Sequence, residues 1–461
     1  MPTTPADLGL RESARLIARR KLSPSELVEA VLDRIDRKNP DLNAYLAVTA
    51  DGARDAAAKA ERRLAGRRGA HPPLHGLPHS LKDLIHSTDA PTTAGSRLFG
   101  EGLPPERDAP VVRRLRRAGA VIVGKTNLHE VAYGVTTVNE HFGPARNPWD
   151  PTRVSGGSSG GSAVAVAAGM GAGSLGTDTR GSIRIPAACC GITGLKPTFG
   201  LVPTDDVVPL APTLDHVGPM TRSVEDAALL LGAMVGGRAA RERYLRAVDR
   251  KPRRLRIGLA SYYFDDAEPE VLDAIEAAVK VCERLKWEIY ELEIPALENA
   301  LEASRVIVSA EALAFHDRTL RESPDAYGPL VRSRLEGGRS LTAVDLVRAE
   351  QERVLLTEAF AEAFENVDLL LAPTLPCTAT PIGVNALDIG GKERSISEVF
   401  CQYNAPQNVT GVPAMSMPGK PAKSGLPTGI QLIGGWRREA DLFAAGAAIQ
   451  RETDWHSRRP R

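Results

Sequence analysis

The sequence predicts an α/β protein with a mixed, largely parallel β-sheet covered by helices on both faces. The prediction rests on short apolar segments, typical of buried strands, that alternate with helical segments. Strands separated by helices favour parallel pairing, because a parallel connection needs a crossover long enough to hold a helix. Three groups show this alternation: the helix 108–119 with the strand 120–125, the segments 254–260, 268–285 and 286–294, and a further helix followed by 367–373.

Two helices are predicted before the first of these strands. Ser23, Pro24 and Glu26 form a helix start, with a side-chain cap, a proline at the first helical position and a glutamate three residues after the cap. Residues 50–69 are rich in Ala, Arg and Glu, which indicates a second and mostly exposed helix. We therefore expect a helical N-terminal portion ahead of the sheet.

Composition narrows the functional classes. The chain has 461 residues, with 58 Lys and Arg against 57 Asp and Glu, and 5% aromatic residues. A net charge near zero and the lack of a basic stripe argue against nucleic acid as a partner. No continuous stretch of about 20 strongly apolar residues is present to span a membrane. The polar, Arg-rich N-terminus lacks the apolar core of a signal peptide, so we expect a cytoplasmic protein.

Neither cysteines nor histidines form a pattern that predicts a metal site. The five cysteines show no C-x-x-C spacing and are expected to be reduced, packed thiols. His71, His75 and His79 recur at four-residue intervals, but the prolines between them prevent the helix that would align the rings. We expect no metal and no other cofactor.

Residues 142–221 are rich in Gly, Ser, Thr and Pro, which indicates a site where the backbone approaches a ligand closely. The glycine-rich segment 156–169 lacks the G-K-[ST] ending of a phosphate-binding loop, and no strand precedes it. It also contains the G-x-S-x-G pattern, but the strand that a hydrolase elbow needs is missing, and the later histidines His216 and His316 have no distinctive context. Both interpretations are therefore weak.

A serine in the segment 176–186 is the stronger candidate for catalysis. Ser182 follows Gly181 at a predicted strand end, where backbone N–H groups can converge on an oxyanion. Its hydroxyl needs a base, and with no distinctive histidine a lysine is the alternative. Lys82 and Lys125 both lie in apolar segments, where burial would favour the neutral amine. Spacing alone does not choose between these two lysines.

The segment 156–200, GGSSGGSAVAVAAGMGAGSLGTDTRGSIRIPAACCGITGLKPTFG, resembles the signature of the amidase signature family. The resemblance covers nearly the whole chain, through LHGLPHSLKDL, GKTNLHEVAYG, NPWDPTRVSGGSSGGS, DHVGPMTRSVEDAA and LPTGIQLIG. It implies the amidase-signature fold as a single domain over 1–461, with a helical portion at 1–70, the signature core at 71–235, and the remaining sheet and pocket walls at 236–461. It also implies an enzyme that hydrolyses carbon–nitrogen bonds other than peptide bonds, through an acyl-enzyme and without a cofactor.

The resemblance assigns a catalytic role to three residues. It makes Ser182 the nucleophile, Lys82 the base, and Ser158 the serine that bridges them, with a cis peptide bond between Gly157 and Ser158. Neutral Lys82 would accept a proton from Ser158, and Ser158 would accept one from Ser182. Ser182 would then attack the substrate carbonyl carbon.

Further roles follow from the same resemblance. The oxyanion hole is expected at the backbone N–H groups of Thr179, Arg180, Gly181 and Ser182. Asp178 and Arg184 are expected to pair across this loop and fix its backbone, and Ser159 to form hydrogen bonds near the site. Arg180 departs from the commonest form of the motif, which has glycine there. Its side chain could face away, pair with an acid or line the pocket.

The resemblance leaves the substrate open. Pocket walls are expected at 131–135, 213–215, 315–316 and 401–404, a chiefly uncharged set that suits a small aryl or alkyl amide, a carbamate or urethane, or an ester. The first hypothesis is therefore a stand-alone amidase with a small-molecule substrate, for which a homodimer stays open. The alternative is the glutaminase (A-type) component of a tRNA-dependent amidotransferase. Against it, residues 395–414 show no acidic and basic pair for the charged groups of glutamine.

Overall fold

The computed structural model describes residues 4–66, 71–99, 102–252 and 254–460. Its α-helices are α1 Leu10–Ala18, α2 Pro24–Leu42, α3 Ala50–Gly66, α4 Pro110–Arg117, α5 Gly160–Ala167, α6 Arg184–Cys190, α7 Val224–Val235, α8 Arg238–Asp249, α9 Pro269–Arg284, α10 Ala300–Glu322, α11 Pro329–Gly337, α12 Ala343–Asn366, α13 Ile396–Cys401, α14 Ala405–Val409 and α15 Glu439–Glu452. Among these described helices, none is long and apolar enough to cross a membrane.

The strands are β1 Tyr45–Val48, β2 Pro78–Lys82, β3 Val121–Thr126, β4 Val138–Asn139, β5 Gly143–Pro144, β6 Gly173–Asp178, β7 Thr193–Lys196, β8 His216–Thr221, β9 Arg256–Ala260, β10 Glu288–Leu292, β11 Leu369–Pro373, β12 Ala386–Ile389, β13 Lys392–Ser395, β14 Ala414–Pro418 and β15 Gly429–Gly434. Eleven of them form one sheet in the order β1-β3-β2-β6-β8-β7-β14-β15-β11-β9-β10.

The sheet is mixed, which confirms the predicted α/β class. Parallel pairs lie in two groups, β3-β2-β6 on one flank and β11-β9-β10 on the other. Antiparallel pairs join the two groups through β8, β7, β14 and β15. The parallel groups contain the strands that the alternation with helices predicted, whereas the sequence pattern did not single out the antiparallel centre.

The predicted helices and strands are present with small shifts at their ends. The helix predicted from Ser23 is α2, and Ser23 and Glu26 form its capping box. The helix predicted over 50–69 is α3; residues 67–69 lie outside the described residues. The helix predicted over 268–285 is α9, and the flanking strands are β9 and β10. Local capping and periodicity therefore located these elements correctly.

The parallel group β3-β2-β6 packs closely against the small residues of α5. Every residue of β2, β6 and α5 is buried. A side chain at Gly161 of α5 would place its Cβ 2.4 Å from the carbonyl oxygen of Asn127, just after β3. The glycine therefore lets the start of α5 approach the sheet at backbone distance, which brings the 157–159 segment against the ends of β2 and β6.

Candidate active site

Lys82 is the last residue of β2 and is 0% exposed. Its Nζ lies 2.7 Å from the Oγ of Ser158 and 2.7 Å from the Oγ1 of Thr177 on β6. Burial lowers the pKa of Lys82 to about 7, although the charges of Asp215 and Asp178 oppose that shift. A large fraction of this amine is therefore neutral near pH 7 and able to accept a proton from the Ser158 hydroxyl.

Ser158 is held by its own backbone as well as by Lys82. The peptide bond between Gly157 and Ser158 is cis, as the resemblance implies. The carbonyl of Ser158 accepts a hydrogen bond from the backbone N–H of His129 at 3.1 Å. A Cβ at Gly157 would lie 2.8 Å from the backbone nitrogen of Thr136, so this position has room only for glycine. The loop after β3 thus supports the segment that presents Ser158.

Ser159 connects Ser182 to β6. Its backbone N–H donates to the carbonyl of Ser182 at 3.2 Å. Its Oγ donates to the carbonyl of Thr177 at 3.0 Å and accepts from the N–H of the same residue at 3.2 Å. Ser182 is 6% exposed, the only one of the three serines that is not fully buried. Ser159 therefore satisfies backbone groups and ties the backbone of Ser182 to the residue that follows Ser158.

Asp178 and Arg184 form a buried ion pair behind the loop 179–182, as expected. Arg184 donates from Nη2 to Oδ1 and from Nε to Oδ2 of Asp178, each at 3.0 Å. Burial disfavours the charged carboxylate, but Arg184 and its hydrogen bonds hold the pKa of Asp178 well below its usual range. The remaining Arg184 donors contact the side-chain oxygens of Gln407, Gln431 and Asn408 and the carbonyl of Asn404. The pair thus fixes both ends of the loop.

The expected oxyanion hole needs one correction. The backbone N–H of Gly181 donates to Oδ1 of Asp178 at 2.8 Å, so it points away from the pocket. This orientation follows from the left-handed backbone at Gly181, whose φ is 117°. Only glycine fits at this position, because an added Cβ would lie 2.6 Å from the Cβ of Asn404. Arg180 has no positive φ. The candidate donors are therefore the N–H groups of Thr179, Arg180 and Ser182.

The structure also separates the two candidate lysines. Lys125 is buried, and its Nζ lies 2.9 Å from Oδ1 of Asp83 and 2.9 Å from Oγ1 of Thr92. Lys125 therefore neutralises a buried carboxylate, whereas Lys82 contacts a serine of the signature. Sequence patterns could not reveal this difference, because both lysines follow similar apolar strand segments.

Of the expected pocket walls, those nearest the loop 179–182 are 213–215 and 401–404. Oδ1 of Asp215 accepts a hydrogen bond from Oγ1 of Thr179 at 2.6 Å, and its Oδ2 accepts from the backbone of Leu210 at 2.9 Å. Burial raises the pKa of Asp215 to about 6. Asp215, Thr177 and Thr179 line a cavity of about 200 Å³ next to Lys82. Among residues 315–316, His316 instead bonds the hydroxyl of Tyr327 at 3.0 Å.

Two further arginines lie in the loop 179–182 and on α11. Arg180 is half-buried, and its Nη2 lies 3.4 Å from Oγ of Ser397 on α13. Arg334 on α11, also half-buried, donates to the backbone carbonyl of Tyr133. The sequence analysis missed Arg334, because it belongs to none of the segments that resemble the family.

The histidines and cysteines considered in the sequence for a metal site are packed within the fold. His75 and His79 face the backbone carbonyls of Ala60 and Leu77 at 3.0 and 2.9 Å. All five cysteines are free and buried. Within the described ranges, no group of three or more His, Cys, Asp and Glu residues is placed to hold a metal ion.

Several contributing residues were missed although they lie in recognised segments. Thr177, which bonds Lys82, lies in the signature itself, and Gln431, which bonds Arg184, lies in the segment LPTGIQLIG. Asn408 accepts from Arg184 and donates to the carboxylate of Asp178 at 2.9 Å. Their position within long motifs was a signal that these polar residues contribute to the site. The sequence does not show which charged group each of them contacts, because that depends on the fold.

A comparison with protein families matches the model described as Amidase over residues 26–443. The chain belongs to the amidase family. A relative from Thermosynechococcus vestitus, named as the A subunit of glutamyl-tRNA(Gln) amidotransferase, is 38% identical over 98% of this chain and 99% of its own. Further relatives with that name are 36 to 40% identical.

Solved structures give the same family. One, described as a vestigial protein complex that reveals the evolutionary origins of an s-triazine catabolic enzyme, has a TM-score of 0.92 and 33% identity over 96% of this chain and 98% of its own. A bacterial aryl acylamidase of the amidase signature family has a TM-score of 0.88 and 26% identity over 98% and 97%. This amidase-family chain is therefore an enzyme that acts on carbon–nitrogen amide bonds.

Proposed function

We propose that this amidase-family enzyme hydrolyses a small amide through an acyl-enzyme on Ser182, with Ser158 and Lys82 as its proton relay. The observation that carries the proposal is the 2.7 Å contact between the fully buried Lys82 amine and the Ser158 hydroxyl. A serine attacks a carbonyl well only when a base removes its proton, and a buried neutral lysine can be that base.

The reaction proceeds in two halves. Neutral Lys82 takes the proton of Ser158 while Ser158 takes the proton of Ser182, and Ser182 Oγ bonds to the carbonyl carbon. The N–H groups of Thr179, Arg180 and Ser182 hold the resulting oxyanion. The relay then returns a proton to the leaving nitrogen as the carbon–nitrogen bond breaks. In the second half a water molecule gives its proton to the same relay and attacks the ester carbonyl, which frees the acid and Ser182.

Two finer functions compete. Relatives named as the A component of an amidotransferase support a glutaminase that supplies ammonia within such a complex, and this support is stronger than that for the stand-alone hydrolase. The structural likeness to an aryl acylamidase supports the stand-alone hydrolase of small amides, carbamates and esters. Glutaminase activity that appears only on addition of partner proteins would favour the first function, and turnover of simple amides by the purified chain alone would favour the second.

The relay is tested with a panel of glutamine, primary amides, anilides and carbamates. We expect Ser182→Ala and Lys82→Ala to lower kcat/KM by a factor on the order of 10³ or more, because residues that act as one catalytic unit each remove most of the rate. Mass spectrometry of the quenched wild-type enzyme should find the acyl group on Ser182. The matched control is Lys125→Met, which removes the other candidate lysine, also buried. Normal turnover by purified Lys82→Ala would contradict the proposal.

A further inference from the structure

A cavity of about 530 Å³ lies at the edge of the sheet opposite to the catalytic lysine. It is formed by the end of α4, the end of α7 and the first turns of α8, with Pro72 and Pro73 on a further side. These prolines lead into β2, and α4 leads into β3. The two strands run parallel, and Lys82 is at the far end of β2. The length of β2 therefore separates this cavity from the reacting groups.

The lining of this cavity is strongly basic. It includes four arginines, Arg114 and Arg117 on α4 and Arg238 and Arg241 on α8, and no acidic residue of the described chain. Arg238 pairs with Glu242, one turn further along α8, at 2.5 Å. Within the described ranges, the other three form no ion pair with Asp or Glu. A cleft lined by charges of one sign concentrates the field and attracts counter-ions, so this cavity favours an anion.

Arg117 and Arg241 have the most donors left for a ligand. In the part of the chain that the structure describes, neither guanidinium donates a hydrogen bond to the protein, whereas Arg114 donates to the carbonyl of Met234 at 2.9 Å. A Cβ at Gly232 would lie 2.9 Å from the Cα of Arg241, so close packing against α7 fixes where that side chain begins. Two guanidinium forks from different helices thus reach one cavity.

The turn between α7 and α8 adds to the positive charge. Gly236 and Gly237 both have a φ of 82°, with ψ of 164° and 150°, a conformation that is nearly exclusive to glycine. Gly237 is the N-cap of α8 and has no side chain to accept from the first N–H groups of the helix. The partial positive charge of this helix end therefore lies beside the guanidinium groups.

The size of the cavity and the rest of its lining indicate an organic anion. Pockets for small organic ligands have volumes of roughly 300 to 1,000 Å³, a range that includes this one. The lining also contains apolar surface from Pro72, Pro73 and Val235. A simple inorganic anion would use only the arginines and leave this surface without a contact.

We propose that this cavity binds an organic phosphate with two or more phosphoryl groups. Arg117 and Arg241 hold the phosphoryl oxygens, because the planar guanidinium fork matches them through paired charge-assisted hydrogen bonds. Arg114 and Arg238 complete the positive lining, and the organic part of the ligand lies against the proline side. This binding does not depend on the proposed reaction at Ser182.

The experiment measures the binding of ATP, ADP, inorganic pyrophosphate, adenosine and sulfate to the purified full-length enzyme by isothermal titration calorimetry, in magnesium-free buffer at one salt concentration. We expect ATP and ADP to bind on the order of ten times more tightly than adenosine or sulfate, with pyrophosphate between them. Arg117→Gln and Arg241→Gln should each weaken ADP binding on the order of tenfold. Ser182→Ala should bind ADP as the wild type does, because the cavity lies at the other edge of the sheet.

Matched controls come from the same two helices. Arg113 on α4 and Arg243 on α8 are exposed and donate to the backbone carbonyls of Asp108 and Arg437 at 2.5 and 3.0 Å. Arg113→Gln and Arg243→Gln remove the same charge outside the cavity lining and should leave ADP affinity unchanged. Arg241→Lys, which keeps the charge without the fork, should retain part of the affinity.

Thermal unfolding without ligand shows whether each variant is folded, and Arg241→Lys serves in place of Arg241→Gln if the glutamine variant is not. No binding of ATP or ADP, or sulfate binding as tight as that of ADP, would overturn the inference. Equal losses in the cavity and control variants, or loss of ADP binding in Ser182→Ala, would also overturn it. Arginine-dependent binding of a mixed tRNA sample without binding of ADP would show a nucleic-acid surface instead.

Discussion

Arg184 and Arg180 are four residues apart, on opposite sides of one loop, and their surroundings differ completely. Arg184 is fully buried, pairs with Asp178 and has an acceptor for each of its donor nitrogens. Arg180 is half-buried with a single long contact. A buried guanidinium with a full set of acceptors holds the backbone in place, whereas a half-buried one with a single long contact does not. The residue type alone does not separate these roles.

The largest expected effect tests the buried side of this comparison. Arg184→Gln leaves the Asp178 carboxylate buried without its cation, and we expect the free energy of unfolding to fall by about 3 to 5 kcal/mol. Urea denaturation of the variant and the wild type measures the difference. A variant as stable as the wild type would show that the surrounding amides suffice without the charge of Arg184.

The next effect is the pH dependence of kcat/KM that Lys82 should cause. Because Lys82 accepts a proton only when neutral, and its pKa is lowered to about 7, kcat/KM should fall about tenfold per pH unit below that value and level off above it. A pH profile with an uncharged amide measures this fall, the acid limb of the profile, because such a substrate does not itself titrate. A rate independent of pH between 5 and 8 would argue against Lys82 as the base.

Asp215 provides a smaller change in the same profile. Its carboxylate raises the pKa of Lys82, so Asp215→Asn should move the acid limb to lower pH, by on the order of one unit. The amide oxygen can still accept from Thr179, but the amide NH2 then faces the N–H groups of Leu210 and Ala211, so the position of the limb rather than the overall rate is the diagnostic quantity. A limb that stays in place while overall activity falls would indicate that Asp215 acts only through its hydrogen bond to Thr179.

The smallest expected effect is that of a substitution at the half-buried Arg180. Arg180 has no ion pair to lose, so Arg180→Gln should change the free energy of unfolding by no more than about 0.5 kcal/mol. The urea experiment used for Arg184→Gln measures it under the same conditions. A loss as large as that of Arg184→Gln would mean that Arg180 also holds the loop, and would remove the contrast between the two arginines.

The success of sequence reasoning depended on whether a signal was local. The capping box of α2 and the strands β3, β9 and β11 were predicted because caps and apolar runs act over a few residues. The antiparallel centre of the sheet was not predicted, because β7, β8, β14 and β15 pair across long sequence distances. Spacing left the choice between Lys82 and Lys125 open for the same reason, and only the family resemblance assigned Lys82: their partners, Ser158 and Asp83, are set by the packing of separate strands.

The order of residues along the chain was enough to predict the α/β class, the family resemblance and the candidate reacting groups, because motifs and periodicity are properties of neighbouring positions. The folded arrangement was needed to show which lysine meets Ser158 and where the Gly181 N–H points. Hydrogen bonds and charges act over a few ångströms in space, and the residues that share such a distance here come from segments up to hundreds of positions apart.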